Sequence, residues 1–406
     1  LTLKTTFNIN KRVFMASPTT KHLPLCLLLV LGCGSPASES PWDDAAVRAQ
    51  ALATSERYAQ VVAASYADTL DAAEAMQAEI EAFLAAPTPA GLTAARAAWL
   101  AAREHYGATE VFRFYGGPID AEPANLEGQI NSWPLDEVYI DYVEGDPDGG
   151  IINDLTRYPT LDRALLLDLN GAGGEDDIST GWHAIEFLLW GQDLRADGPG
   201  ERPHTDYIAA ADGTAANQDR RAEYLRIVTD LLIDDLRALR DAWAEGAPYR
   251  QTLLDDPREA LTRVLLGMGS LSGAELSGER MGVAFSTREQ EDEHSCFSDN
   301  THRDIHTNAL GIENVYLGRH GATTGASPSD LVAAIDPALD ETLRAQLRAS
   351  VEATAAIPPP FDQAIQAPDG SPARQAVADA IAALKAQTAT IAEVAAALEI
   401  TLNLEE

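Results

Sequence analysis

Residues 43–85 read DDAAVRAQALATSERYAQVVAASYADTLDAAEAMQAEIEAFLA, without one Gly or Pro. Along this run Val47, Ala51, Tyr58, Val61, Val62, Tyr66, Leu70, Ala73, Met76, Ile80 and Phe83 recur at three- and four-residue steps. That period paints one face of an α-helix and would scatter side chains to both faces of a strand. The spacing predicts one long helix or two nearly continuous ones, broken by Pro87 and Pro89. A chain that begins its folded part this way needs other helices to cover the stripe.

Those helices can be read further along. Thr93 is expected to cap a second helix running through Trp99, Arg103 and Tyr106 to Phe112. Residues 116–160 carry Gly116, Gly117, Pro118, Pro123, Pro134 and the glycines at 145, 149 and 150, so they read as a long irregular segment holding Trp133, Tyr139 and Tyr142. Such a segment is either a functional loop or a small satellite core. Gly181 to Trp190 reads as a short apolar helix capped by Ser179 or Thr180 and stopped by Gly191. Asn217 to Ala244 is strongly amphipathic; Pro257 opens a helix towards Met281 or Phe285 whose glycines (267, 269, 273, 278) predict a bend or break. Two more helices are expected over 328–355 and 371–398. No run alternates as a strand would. The fold class is therefore all-α: two tandem helical bundles, 43–215 and 216–406. Each half flanks a polar, aromatic-bearing middle with long helices, which hints at an internal duplication.

Composition fits helices, being rich in Ala and Leu. A net charge of −34 excludes a nucleic-acid partner, which needs clustered Lys and Arg. Near the N-terminus Lys21 and His22 precede the apolar run Leu23 to Leu31, which is too short to span a bilayer. Val30-Leu31-Gly32-Cys33 resembles a bacterial lipobox. Residues 1–32 are thus expected to be a signal peptide (1–14, ahead of Met15, a mis-called start), Cys33 the acylated residue, and 33–42 a tether. Gly34 in place of an acidic retention signal favours the outer membrane, with the protein facing the periplasm. Once Cys26 leaves with the signal and Cys33 carries lipid, only Cys296 remains, which excludes an intramolecular disulfide and a Cys-based metal site.

The residues with chemistry cluster in few places. His183 and Glu186 are one helical turn apart, so they share a face. An imidazole and a carboxylate inside an apolar helix are either buried as a pair or share a metal ion. Arg103, Glu110 and Arg113 could form a salt-bridge ladder along one helix, or Glu110 could be a third ligand, with Asp136 in the Pro134-Leu135-Asp136 turn a fourth candidate. In the second half, Glu291 to His302 is dense in potential ligands, and His302 and His306 stand at i, i+4. No His-Glu-x-x-His, Gly-x-Ser-x-Gly elbow or phosphate loop is present. A ferritin-like di-iron set needs Glu-x-x-His pairs, whereas the one pair here runs in the reverse order.

These blocks together resemble the imelysin family, in its iron-regulated protein A branch. Gly181, His183 and Glu186 meet its Gly-x-His-x-x-Glu mark, and Thr109 to Tyr115, Asn131 to Asp136, Glu279 to Met281, Glu291 to His302 and Gly311 to Arg319 extend it. The resemblance implies two helical domains with a site at their interface and secretion as a lipoprotein. It also implies a link to iron and a peptidase label carried by one insulin-cleaving member. By position it makes His183 and Glu186 metal ligands with Glu110 as companion, and gives Glu279, Arg280, His294, Asp299 and His302 to the cleft. The expectation is a lipid-anchored envelope protein that binds iron, with zinc the second choice, or an iron-bearing ligand, and hands it to an uptake partner. The alternative is a metallopeptidase. Against it, Glu186 cannot readily serve both as ligand and as base.

Overall fold

The run of residues 43–85 folds as a single uninterrupted helix, α1 (Ala45–Ala85), capped by Asp44, whose carboxylate accepts from Ala46 N. The structure is a computed structural model and describes residues 40–209 and 211–404. The expected signal peptide and tether, with Cys26 and Cys33, lie outside the described residues except for 40–42. Thr88 rather than Thr93 caps α2 (Pro89–Gly107), because Pro89 supplies the N1 position and the Thr88 hydroxyl accepts from Gly91 N. Helix α2 stops at Gly107, and residues 110–112 form only a turn of 3₁₀-helix. Short helices α3 (Leu126–Ile130), α4 (Glu137–Ile140) and α5 (Arg163–Leu169) punctuate the irregular segment, and α6 (Gly181–Trp190) follows.

Next come α7 (Gln218–Ala242), α8 (Pro248–Asp255) and α9 (Pro257–Ser270). The expected bend after α9 is instead a change of register. Leu271–Val283 continues as a π-helix before α10 (Ala284–Thr287). The remaining helices are α11 (Thr301–Tyr316), α12 (Pro328–Ile335), α13 (Pro337–Ala355), α14 (Phe361–Gln366) and α15 (Pro372–Ala397). The helix expected over 328–355 is two, since Pro337 cannot continue α12, while Asp336 caps α13 through Ala338 N and Leu339 N. A two-residue hairpin, Arg319–His320 with Thr323–Thr324, is the only strand pairing named among the described residues besides an isolated bridge. The fold is all-α.

Helix α1 is the common wall. Its buried stripe, from Tyr58 and Val62 through Met76 to Phe83, packs against α2 and α7 and also against α9 and α12. The chain does not part near residue 215 as expected: α7, just beyond it, packs on α1 and α6, and Ser40–Glu406 forms one compact unit. The reason is visible in α7, whose apolar face (Tyr224, Val228, Leu232, Leu236, Leu239) is the cover that the first half needs.

Candidate functional site

Helix α6 is buried at every position, including His183 at 1% and Glu186 at 0% exposure. Its start is set by Gly181, which sits at φ +84 where a Cβ would collide with the Ile130 and Gln129 carbonyl oxygens. Only glycine tolerates both conditions. From that anchor His183 Nδ1 meets Glu186 Oε2 at 2.9 Å, and Glu186 Oε1 accepts from Ser298 N (2.9 Å) and Ser298 Oγ (2.7 Å).

A second imidazole faces the first. The rings of His183 and His294 lie edge to face with centroids 4.7 Å apart. His294 Nδ1 lies 2.8 Å from Asp304 Oδ2, on α11, an acceptor that Ser295 Oγ shares at 2.5 Å. The amide of Asn131 fixes which nitrogen carries the proton. Asn131 Oδ1 accepts from Arg103 Nη1 (2.6 Å), so its Nδ2 points at Glu110 Oε1 (3.1 Å) and His294 Nε2 (3.5 Å). His294 Nε2 therefore accepts and Nδ1–H donates to Asp304. The two histidine–carboxylate dyads thus face each other, each carboxylate orienting its ring. His183 Nε2 is buried with no partner.

Arginines enclose the dyads. Arg103 on α2 reaches Asp304 Oδ1 at 3.2 Å, and its guanidinium packs on the rings of Trp99, Tyr106 and Trp182. Glu110 Oε2 accepts from Arg113 (2.8 Å) and Arg280 (2.6 Å), and Arg280 also bonds Asn308 Oδ1 on α11. Glu275 completes the group against Arg280 at 2.9 Å. Residues 275 and 280 meet because the π-helix brings positions five apart into line; in an α-helix they would diverge by about 140°.

Charges respond accordingly. Burial drives both imidazoles down, to about 3, helped at His183 by Arg103 and at His294 by Arg280. Burial lifts the Glu186 carboxyl to about 8 against the pull of Ser298. Burial would lift Glu110 and Asp304 too, but Arg280 with Arg113, and Arg103 with His294, hold them well below the carboxylate range. The His183–Glu186 pair therefore keeps one shared proton until about pH 8.

Several expectations need correction. The site faces no open crevice: His183, Glu186, Glu110, Arg280 and His294 are all nearly completely buried, which the arginine–carboxylate pairing makes tolerable. Arg103, Glu110 and Arg113 form no single ladder, since α2 ends before Glu110 and Arg103 turns to Asp304. Glu279 is exposed and Glu275 stands in the place expected for it. Asp136 is spent capping α4 through Val138 N. His302 and His306 are half-buried away from the dyads, His302 against the Asp299 carbonyl and His306 beside Thr354, and form no pair. Asp299 lies next to Ser298, but its side chain bonds neither His183 nor His294. Asp304, Asn131 and Ser298 were not foreseen as site residues. Asp304 had one available signal, its place one turn into a helix just beyond the ligand-rich 291–302 run.

For a metal ion the donors fit through the imidazoles. His183 Nε2 is the buried nitrogen without a partner, and its ring is backed by a carboxylate, as metal-binding histidines are. Glu110 and Glu186 have every oxygen engaged, and among the described residues no three His, Cys, Asp or Glu side chains stand together as a ready shell.

A family model described as Imelysin matches residues 62–391. Iron-regulated protein A of Synechococcus elongatus is 27% identical over 354 residues, covering 84% of this chain and 82% of that protein. Two crystal structures share the fold. One is described as an iron-regulated protein A precursor from Parabacteroides distasonis (TM-score 0.62, 20% identity, 84% of this chain and 95% of that one). The other is an imelysin-like protein from Psychrobacter arcticum (TM-score 0.62, 15% identity, 89% of this chain and 99% of that one).

Proposed function

The chain belongs to the imelysin family, and from that premise we propose that it is a cell-envelope lipoprotein which binds iron or an iron-bearing ligand for uptake or iron homeostasis rather than an enzyme. The observation that carries the reading is the unpartnered Nε2 of buried His183, in a ring that lies edge to face with a second imidazole whose centroid is 4.7 Å away. His183 and His294 would hold the ion through their Nε2 atoms. Glu186 and Asp304 orient the rings and supply negative charge, and Glu110 offsets Arg113 and Arg280. A bound ion would displace the extra proton that the His183–Glu186 pair holds below about pH 8, so capture releases a proton. The name of the Synechococcus relative supports the iron assignment, with zinc the competing ion that imidazoles favour.

Burial of every donor supports capture over peptide hydrolysis. A metallopeptidase needs an open coordination position, a base and access for a polypeptide, and here Glu186 is committed to His183 and Ser298. Anchoring through Cys33, an outer-membrane position facing the periplasm and a downstream uptake partner are parts of the same proposal. The test is calorimetric titration of the metal-free full chain with Fe(II), chelated Fe(III) and Zn(II), compared with His183→Ala and His294→Ala. One-to-one binding weakened at least tenfold in each variant is expected. Equal binding by parent and both variants would refute the assignment.

A further inference from the structure

The imidazole pair is sealed, yet one of its neighbours is not. Among the described residues, Glu186, Asn131, Asp304 and Trp133 bond to the rings of His183 and His294 or stack on them. The first three are buried, whereas Trp133 is half-buried and is followed by exposed Pro134. The Trp133 ring stands edge to face with His294 at 5.7 Å between centroids, and His294 stands 4.7 Å from His183 by the same measure. On this side a single indole lies between solvent and the pair.

That indole is held lightly on a backbone that is held firmly. Upstream, Ser132 Oγ donates to the Gly128 carbonyl at 3.0 Å. Downstream, Asp136 N donates to the Asp176 carbonyl at 2.8 Å, and the Asp136 carboxylate accepts from Val138 N. The Trp133 side chain has one hydrogen bond, from its N–H to the Glu293 carbonyl at 2.7 Å, which latches it across to the 293–300 loop. Turning the indole outward about its side-chain torsions breaks that one neutral bond and moves no helix.

The arginine frame offers the other approach, and it is shut more tightly. Arg113, Glu127 and Glu275 are also half-buried. There, however, Arg113 bonds Glu127 at 3.0 Å and Glu110 at 2.8 Å, while Arg280 bonds Glu275 at 2.9 Å and Glu110 at 2.6 Å. Charge-assisted bonds are roughly twice as strong as neutral ones, and buried Glu110 and Asn131 would still stand in front of His294. We propose that Trp133 is the door to the imidazole pair: the indole swings outward to admit an ion and closes over His294 behind it. This deepens the iron reading and rests on it, since it names how the same site is filled.

The first test needs no metal. Diethyl pyrocarbonate carbethoxylates accessible neutral imidazoles, and peptide mass spectrometry reads each histidine of the full chain separately. In the parent, His183 and His294 should react at least tenfold more slowly than half-buried His302 and His306. Trp133→Ala should speed His183 and His294 at least tenfold and leave His302 and His306 within twofold, which a general loosening would not do. Trp133→Phe, which keeps a ring but drops the latch, should speed them at least threefold. Should the alanine variant fail to fold, the phenylalanine variant decides alone, and rates equal to the parent's overturn the proposal. Glu275→Ala, which loosens the arginine frame, should leave both rates within twofold. Unchanged rates in Trp133→Ala, an equal rise in Glu275→Ala, or a parallel rise at His302 and His306 would overturn the proposal. Stopped-flow mixing with Zn(II) separates the door from the iron reading. Association and release should both quicken in Trp133→Ala with Kd within threefold of the parent's, and kinetics unmoved in a parent that binds the ion would overturn the door alone. A parent that binds no ion ends the iron reading, while carbethoxylation still decides whether Trp133 controls access to the pair.

Discussion

Asp304→Asn changes one atom and should be among the most damaging substitutions in the chain. In the parent, Oδ1 faces Arg103 (3.2 Å) and Asn300 Nδ2 (3.2 Å), and Oδ2 accepts from His294 and Ser295. The asparagine must keep its oxygen toward Arg103, since a donor there would face a cation. Its Nδ2 then points at His294 Nδ1 and forces that nitrogen to accept. The proton moves to Nε2, which now meets the Asn131 amide donor across 3.5 Å. Two costs follow: an arginine at 1% exposure loses its counter-charge, and a buried donor loses its acceptor. Breaking a buried pair from one side costs about 3–5 kcal/mol, and most of the loss should come from that term. Urea denaturation gives the stability change, and nitrogen chemical shifts of labelled His294 give the tautomer. Combining Arg103→Met with Asp304→Asn should recover at least half the loss. A change below about 1 kcal/mol for Asp304→Asn, or an unmoved tautomer, would refute the account of the site as a charge-balanced core.

Further outcomes follow from the same geometry. Glu186 has its carboxyl raised from 4.5 to about 8 by burial, so the folded state holds a proton that the unfolded chain has lost, and stability falls as pH climbs through that window. His183 and His294, depressed from 6.5 to about 3, act oppositely but only below about 6.5, where the unfolded chain gains protons. Metal-free protein should therefore lose about 1–2 kcal/mol through Glu186 between pH 6.5 and 8, and Glu186→Gln should flatten that slope in melts across the range. Gly181→Ala should destabilise by more than about 1 kcal/mol in the same assay, because it adds a Cβ at φ +84 against the Ile130 carbonyl. Glu275→Ala should cost about 1–3 kcal/mol by leaving Arg280 and Arg113 short of a partner, while Glu279→Ala, exposed, should stay within about 0.5.

Local structure was legible where one residue decides it. Pro after Asp or Ser marks the starts of α9, α12 and α15, and the period of 43–85 marks α1, whereas the same signal at Asp336-Pro337 goes unused in the expectation of one helix over α12 and α13. His183 with Glu186 was legible too, because three residues on a helix fix a shared face. Asp304 and Asn131 were not, since each joins the site from more than a hundred residues away from at least one of its partners. Nor was the choice of Glu275 over Glu279: it depends on a hydrogen-bond register that leaves no mark in composition. The division at 215 failed because an amphipathic helix reveals that it has an apolar face without revealing which neighbour covers it.

That register makes the chain's length a functional variable. Leu271–Val283 spreads its residues around the axis more widely than an ordinary helix does, so deleting a single residue there can let it relax into α geometry with every site side chain still encoded. Arg280 would then turn away from Glu110, and the arginine frame of the dyads would open from one side. Substitution scans would miss this sensitivity entirely, while a one-codon deletion would expose it.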